Sequence, residues 1–199
     1  MKQEKLNTKI RQKQIINVCL EIISERGLDA LNVAEIASKL GLATSALYRH
    51  YNDKAQMIST ILQIINKSVK ADFDMAESQG RDAFEKLELI LGFDLDKLNE
   101  RRAFQMIIFS DSIREHKYSK LHEIRSMVSE FSASLVKIFD EGQSTGIFRK
   151  DISSNMLGQM FINLLLANTS MYIIEGDKCN IDEYQTKAWL AFKEMIKRK

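Results

Sequence analysis

The sequence of 199 residues contains no proline and only eight glycines. Strands and tight turns usually need these residues, so their scarcity favours long helices joined by short loops. Hydrophobic residues make up 45% of the chain and charged residues 28%, which is enough apolar material for a full core and excludes a fibrous or membrane class. The composition therefore predicts an all-α fold.

Cysteine is scarce as well, because Cys19 and Cys179 are the two in the chain. They form no CxxC motif and no disulfide framework, which is typical of a reducing compartment. The N-terminal stretch MKQEKLNTKIRQK is charged from its second residue and lacks the apolar region of a signal peptide. Polar residues interrupt the apolar segment 160–174, which is typical of a buried helix. We expect a cytoplasmic protein with no membrane contact.

Enzyme motifs are also missing. The sequence has no P-loop, no GxGxxG, no HExxH and no GxSxG. His116 and His122 are six residues apart, without a carboxylate at metal-ligand spacing. We therefore predict no catalytic residues, no cofactor and no metal. A redox role for the thiol of Cys179 is the one alternative.

Positive charge is concentrated in the first third of the chain. Residues 1–60 hold nine Lys and Arg against six Asp and Glu, whereas residues 61–199 hold twenty against twenty-one. A basic excess of this kind is a mild indication of a polyanionic partner. The lysines between Lys2 and Lys13 are interpreted either as an arm that contacts DNA or as a solvated tail.

Helical periodicity runs through the whole chain. A first helix is predicted from Asn7 or Thr8 to Gly27, and a second from Asn32, with Glu35 completing a capping box. Gly41 allows a sharp turn into a third helix over 44–51. Asp53, with Gln56 three residues on, is predicted to cap a fourth helix. Further helical patterns cover 81–98, 101–113, 118–141, 153–175 and 182–197.

The third helix separates apolar from polar side chains. At 100° per residue, Ala43, Leu47 and Tyr51 share the inward face. The opposite face carries hydrogen-bonding side chains, with His50 at its margin: Thr44, Ser45, Tyr48 and Arg49. Two helices joined by a glycine turn, the second with a polar outward face, are typical of a helix-turn-helix that enters the major groove of DNA. Lys54 adds a cation at the start of the fourth helix, where backbone N–H groups favour phosphate.

Residues 32–54, NVAEIASKLGLATSALYRHYNDK, resemble the DNA-binding segment of the TetR (tetracycline repressor-like) family. The matching positions are Ile36-Ala37, Gly41-Leu42, Leu47-Tyr48, His50-Tyr51 and Lys54. The resemblance covers about residues 10–56 and includes the close of the first helix at Glu25-Arg26-Gly27. Beyond it the chain matches in length, in helical character and in a G-x-F-x-x-D-like turn at Gly146, Phe148 and Asp151.

The resemblance implies a DNA-binding domain over residues 1–52 and an effector-binding and dimerisation domain over residues 53–199. It implies that Thr44, Ser45 and Arg49 face bases, and that four other residues face phosphates: Asn32, Tyr48, His50 and Lys54. Ala43 stands where the family usually has a serine as N-cap of the recognition helix, and Thr44 is the alternative cap. The implied protein is a homodimeric repressor that a small apolar or amphipathic effector releases from double-stranded DNA.

Two apolar sets are candidates for the remaining functions. An effector pocket is predicted to include Leu62, Phe104, Ile107, Ile108, Phe131 and Leu165, although such runs in a bundle are usually packing. A dimer interface on the last two helices is predicted to include Met160, Leu164, Met171, Trp189, Phe192 and Ile196. Trp189 packing inside its own subunit is the alternative. A rival function is a TetR-like factor that binds many chromosomal sites and works through a protein partner in cell division.

Overall fold

The computed structural model describes residues 8–175 and 180–198, and its regular elements in these ranges are helices. They are α1 Thr8–Arg26, α2 Val33–Lys39, α3 Thr44–Leu47, α4 Lys54–Gln79, α5 Ala83–Asp96, α6 Leu98–Ile108, α7 Asp111–Arg114, α8 Leu121–Ser144, α9 Ser154–Glu175 and α10 Ile181–Ile196. A short 3-10 turn, Leu28–Ala30, follows α1. The all-α prediction is confirmed.

Contacts divide the chain into two compact units. The first, which we call the head, comprises Met1–Asn66 and Asn99–Ile124, and the second, the body, comprises Lys67–Leu98 and Arg125–Lys199. The head therefore includes α6 and α7 in addition to the helix-turn-helix segment. The sequence-based boundary between residues 52 and 53 stays a prediction.

The core of the head forms around α1. Ile15, Cys19 and Ile22 are fully buried on this helix, as their spacing predicts, and Ile36 and Leu47 are buried on α2 and α3. Burying a branched aliphatic side chain of this size stabilises a fold by about 1.5–3 kcal/mol. These contacts fix the positions of α2 and α3, the two short helices of the helix-turn-helix segment.

Helix α7 is also part of the head, because it packs against the 3-10 turn Leu28–Ala30. The Ser112 hydroxyl donates a hydrogen bond to the Asp29 carboxylate. A single helix was predicted over 101–113, but the structure divides it at Ser110. The hydroxyl of Ser110 donates to the carbonyl of Ile107 at 2.8 Å and accepts from the Ile113 N–H, so it ends one helix and caps the next.

The core of the body is aromatic. Rings of Phe139, Phe161 and Phe192 pack with centroid separations between 5.7 and 6.5 Å, and Trp189 stacks on Phe192 at 6.2 Å. Phe148 is fully buried beside Phe139. Aromatic pairs in these tilted arrangements add about 0.5–1.5 kcal/mol each to the burial of their surfaces. This cluster holds α8, α9 and α10 together.

The G-x-F-x-x-D-like turn between α8 and α9 places Phe148 in that core. The side chain of Gln143 donates to the carbonyls of Arg149 and Ile152 at 2.8 and 2.7 Å, which satisfies backbone groups of the loop. The Arg149 guanidinium pairs with Asp151, and this hydrogen bond raises the pKa of the arginine. The Arg149 N–H also donates to the Ile196 carbonyl at 2.9 Å, which attaches the end of α10 to the turn.

Helix α9 is long and apolar enough to cross a membrane, although only a third of its most apolar window is buried within the chain. Core helices of soluble proteins pass the same test. Its Leu157, Phe161 and Leu165 belong to the buried cluster of the body. The polar Asn168 is buried on the same helix, which fits a helix that packs against protein.

Cys19 is expected to be chemically inert in the folded protein. Its side chain is fully buried, and burial raises the pKa of the thiol from its ordinary value of 9.0 to about 12. In a Cys179→Ser variant, native Cys19 should react with a disulfide reagent at about pH 8 roughly a thousandfold more slowly than in the urea-unfolded chain. Equal rates in both states would contradict this burial. Because the unfolded thiol ionises first, the free energy of unfolding should fall as pH rises from 9.0 towards 12.

Candidate nucleic-acid interface

The turn between α2 and α3 is built from backbone hydrogen bonds. The N–H of Leu42 donates to the carbonyl of Ala37 at 2.9 Å, and the N–H of Gly41 donates to Ser38 at 3.0 Å. This pair of bonds is a Schellman motif, which needs a left-handed residue after the helix. Gly41 has a φ of 62°, which glycine adopts without the strain of a Cβ. The predicted sharp glycine turn is confirmed, and it fixes the angle at which α3 leaves α2.

Asn32 caps α2 as predicted. Its side-chain oxygen accepts from the N–H of Ala34 at 2.8 Å. The predicted capping box is wrong in its second half, because the Glu35 carboxylate pairs with Arg26 at the end of α1. Lys39 pairs in the same way with Glu21 at 2.6 Å, and this hydrogen bond raises the pKa of Lys39. Two ion pairs thus connect α1 with α2 while Asn32 stays exposed.

The N-cap of α3 is Ala43, in an extended conformation with φ −72° and ψ 145°. No side chain caps this end, so the alternative in which Thr44 takes the cap is wrong. The prediction that Ala43 faces inward is also wrong, because the residue is exposed and precedes the helix. Thr44 is the first helical residue and its side chain is exposed.

Helix α3 is shorter than the predicted 44–51. The N–H groups of His50 and Tyr51 both donate to the Leu47 carbonyl, at 2.9 and 3.0 Å, so the chain tightens after one turn. Leu47 and Tyr51 are nonetheless buried, as predicted. The Tyr51 hydroxyl donates to the Gln12 carbonyl at 3.5 Å, and burial raises the pKa of this phenol. These contacts hold the end of α3 against α1.

The opposite side of α3 is open to solvent. Tyr48 has 49% of its surface exposed, an unusual value for a large aromatic side chain. Thr44, Ser45 and Arg49 are exposed beside it. Thr44 and Ser45 begin α3, Tyr48 and Arg49 follow its last residue, and we call these four exposed side chains the polar face.

His50 lies at the margin of the polar face and is half-buried. Its carbonyl accepts a hydrogen bond from the Gln12 side chain at 3.4 Å. The ring Nδ1 is buried and has no hydrogen-bond partner among the described residues. The backbone of His50 is therefore held against α1, and the Nδ1 side of its ring faces the protein interior.

Lys54 begins α4, whose N-terminus is capped as predicted. The Asp53 carboxylate accepts from the N–H of Gln56 at 2.7 Å, and the Gln56 side chain accepts from the N–H of Asn52 at 2.6 Å. Within the described parts of the chain, Arg49 and Lys54 have no carboxylate partner, in contrast to Arg26 and Lys39. The helix dipole adds to the positive potential around Lys54. These two cations are available to phosphates.

The predicted effector-pocket residues fall into both units. In the head, Leu62 and Ile107 are fully buried, whereas Phe104 and Ile108 are half-buried. In the body, Leu165 is 8% exposed and Phe131 packs edge-on against Phe73, with ring centroids 5.3 Å apart. The pocket stays a prediction.

The predicted interface residues separate by burial. Trp189, Phe192 and Ile196 lie in the core of their own body, which favours the alternative in which Trp189 packs inside its subunit. Met160, Leu164 and Met171 are half-buried and keep part of their surface available. Four other large apolar residues of the same two helices are more than half exposed: Met156, Ile174, Leu190 and Met195. Leu190 was missed because the sequence pattern placed the apolar face of α10 around Trp189.

Several remaining predictions concern single residues. Lys2, Lys5 and Cys179 lie outside the described residues, so the arm and the redox role stay predictions. Lys9, Arg11 and Lys13 are part of α1. Among the described residues, no group of three or more His, Cys, Asp or Glu side chains is placed to hold a metal ion.

An all-helical fold with an exposed polar helix after a glycine turn defines a helix-turn-helix DNA-binding protein. A family model described as bacterial regulatory proteins, tetR family, matches residues 15–61, and one described as tetracyclin repressor-like, C-terminal domain, matches residues 84–177. The chain belongs to the TetR family of transcriptional regulators. The family consists of regulators and not of enzymes, in agreement with the missing catalytic motifs.

Two curated relatives of different function illustrate the similarity. The nucleoid occlusion factor SlmA of Vibrio cholerae is 22% identical over 200 residues, covering 96% of this chain and 98% of that protein. The HTH-type transcriptional repressor KstR2 of Rhodococcus jostii is 23% identical over 146 residues, covering 71% of this chain and 70% of the repressor.

Solved structures share the fold at low identity. A TetR-family regulator from Agrobacterium tumefaciens has a TM-score of 0.82 at 14% identity, with 96% of this chain and all of that chain covered. The ketosteroid transcriptional regulator KstR2 of Mycobacterium tuberculosis has a TM-score of 0.79 at 16% identity, with 95% of this chain and 96% of that chain covered.

Proposed function

We propose that this regulator is a cytoplasmic, ligand-responsive repressor that binds a two-fold operator as a homodimer. The polar face of α3, held at a fixed angle by the Gly41 turn, is the observation that supports it most strongly. A single helix-turn-helix domain of this size binds DNA with modest affinity. A dimer places two such domains on the two half-sites of an operator. A small apolar or amphipathic effector releases the protein from DNA.

On this proposal each residue of the polar face has a role. Thr44, Ser45 and Arg49 contact base edges in the major groove, where Arg pairs with guanine and hydroxyls accept or donate. Four other residues contact phosphates and set the register of the head: Asn32, Tyr48, His50 and Lys54. The exposure of Thr44 and the unpaired cations support this division of roles.

The homodimer forms through the outward surfaces of α9 and α10. Met156, Leu190 and Met195 are exposed there to 55%, 57% and 51%, and Met160 and Leu164 contribute their open sides. Apolar side chains gathered in this way are typical of interface cores, where methionine is enriched. Self-association covers these surfaces.

Replacing Leu190 by glutamate is expected to convert the dimer into a monomer, because two unpaired carboxylates would be buried at the interface. Sedimentation measures the change, with far-UV circular dichroism as the check on folding. Val128→Glu is the matched control, since Val128 is an exposed apolar residue on α8, outside the proposed interface, and its replacement should leave the dimer intact. A Leu190→Glu protein that sediments as the wild type does would exclude this surface.

The effector must bind the DNA-free conformation more tightly than the DNA-bound one. Equal affinity for both would leave the equilibrium between the two conformations unchanged. Solved relatives named for ketosteroid regulation and for fatty acid degradation support an apolar ligand class for this fold. The apolar residues predicted for the pocket agree with such a ligand.

The SlmA relatives favour a second candidate, a nucleoid occlusion factor that binds many chromosomal sites. Mapping the protein's binding sites across the chromosome separates the two. One or a few sites beside transcription units support the repressor, and dozens of scattered sites with no change in transcript levels would favour the occlusion factor.

A further inference from the structure

The body contains a buried polar cluster that the DNA-binding function does not use. The inward face of α9 presents Leu157, Phe161 and Leu165 and then ends on Asn168. The inward face of α10 begins with Gln185 and continues through Trp189 to Phe192. Asn168 has no exposed surface, and Gln185 is 8% exposed. Two amides thus meet inside an otherwise apolar core.

The hydrogen bonds of this cluster fix the orientation of both amides. The Gln185 Nε2 donates to the backbone carbonyl of Leu91 on α5 at 3.2 Å, and a carbonyl can only accept. The Gln185 Oε1 is therefore the acceptor for Asn168 Nδ2, at 2.9 Å. It follows that Asn168 Oδ1 is the remaining oxygen, and it is buried without a hydrogen-bond partner in residues 8–175 and 180–198.

A buried donor is left over on the same face of α10. Trp189 lies one turn after Gln185 and is 4% exposed, and its indole Nε1–H has no hydrogen-bond partner within the described part of the chain. Unpaired buried polar atoms cost stability and are rare in native proteins, so each one calls for a partner. One unpaired acceptor and one unpaired donor remain next to the amide pair.

We propose that Asn168 Oδ1 and Trp189 Nε1–H are the polar recognition points for a neutral ligand that carries a hydroxyl or carbonyl group on an apolar frame. A hydroxyl donates to the Asn168 oxygen and accepts from the indole, whereas a ketone accepts from the indole alone. This inference names the ligand chemistry within the proposed ligand-responsive function and rests on it. The site lies wholly inside the body, among α5, α9 and α10.

Hydrogen-bond chemistry disfavours a carboxylate at the Asn168 oxygen, although Lys193 Nζ lies 5.9 Å from the centroid of the Trp189 ring. The Asn168 Oδ1 and an ionised carboxylate can both only accept hydrogen bonds. An anion placed against this buried oxygen would lose its hydration without gaining a donor there. A neutral polar group avoids that cost.

Trp189 is the one tryptophan of the chain, so its indole N–H gives a single, assignable resonance. The full-length protein is titrated with cyclohexanol, cyclohexanone, 1-decanol and 2-decanone, with decanoate as the anionic control. At least one neutral probe is expected to move the indole resonance saturably and to bind about tenfold more tightly than decanoate. No movement with any of the four probes, or equal affinity for decanoate, would overturn the inference.

A double variant, Asn168→Leu with Gln185→Met, tests the role of the amides. Replacing both partners by apolar groups of similar size is close to neutral for stability, so the variant should fold. The probe affinity should fall about tenfold. Thr169→Val is the control on the same turn of α9, because the Thr169 hydroxyl donates to the Leu165 carbonyl and is outside the cluster. Undiminished binding to the double variant would contradict the proposal.

DNA binding by the same preparations, without probes, separates the inference from the function on which it rests. Specific DNA binding with no response to any probe rejects the ligand site and leaves the regulator standing. Probe binding in a protein that shows no preference for any DNA keeps the ligand site and rejects the repressor.

Discussion

Replacing Lys54 by alanine is expected to weaken binding to operator DNA by about tenfold to a hundredfold, because a dimer loses the same phosphate contact in both half-sites. The dependence of affinity on salt should become shallower by about one ion per lost contact. Lys54 has no carboxylate partner among the described residues, so its removal leaves no charge unpaired in the head. Fluorescence anisotropy with a labelled duplex at several salt concentrations measures both effects.

Tyr48→Ala should cause a loss of similar size, since Tyr48 is 49% exposed and its phenol is proposed to contact a phosphate. Lys137→Ala is the matched control for charge, because Lys137 is exposed on α8 in the body. This control is expected to keep the wild-type affinity to within about twofold. If Lys137→Ala weakens binding as much as Lys54→Ala does, general charge and not the polar face attracts the DNA.

Gly142→Ala is expected to destabilise the protein by about 2–3 kcal/mol. A Cβ at this position would approach Cγ of Phe148 to 2.8 Å and would lie closer still to two other atoms of the ring. Phe148 cannot move aside, because it is fully buried in the aromatic cluster and its N–H donates to the Gly142 carbonyl at 2.9 Å. Urea unfolding monitored by far-UV circular dichroism measures the loss.

Two other glycine replacements in the body provide the controls. A Cβ at Gly92, in the middle of α5, meets no atom within 4 Å, and one at Gly158 meets its first neighbour at 3.7 Å. Alanine in a helix is favoured over glycine by about 1 kcal/mol, so both variants should unfold at slightly higher urea concentrations. A Gly142→Ala protein as stable as these two would show that Phe148 does not pack as described.

Local sequence patterns were sufficient to predict the main features of the helix-turn-helix segment of the head. The turn at Gly41, the cap at Asp53 and the burial of Leu47 depend on residues within a few positions of each other, so spacing alone reveals them. The polar face of α3 is predictable for the same reason. The first residue of α3 was not predictable, because an alanine at the N-cap gives no side-chain signal. Thr44 was a plausible alternative N-cap.

The body was harder to predict because its contacts are distant in sequence. From the sequence, Asn168 was interpreted only as an interruption of an apolar run. Its hydrogen bond to Gln185, 17 residues away, depends on how α9 and α10 pack. Trp189 matched an interface residue in composition, but the aromatic cluster holds it inside. Periodicity identifies an apolar face without saying which surface covers it.

The polar face is expected to bind DNA in a sequence-dependent way. The most direct test is binding of the purified protein to a duplex that covers the region upstream of its own gene, titrated at several salt concentrations against a random duplex of equal length. We expect saturable binding to the upstream duplex that is at least about a hundredfold tighter than to the random one, with a steep salt slope for both. Equal affinity for the two duplexes would contradict the local repressor and favour a factor that acts at other sites.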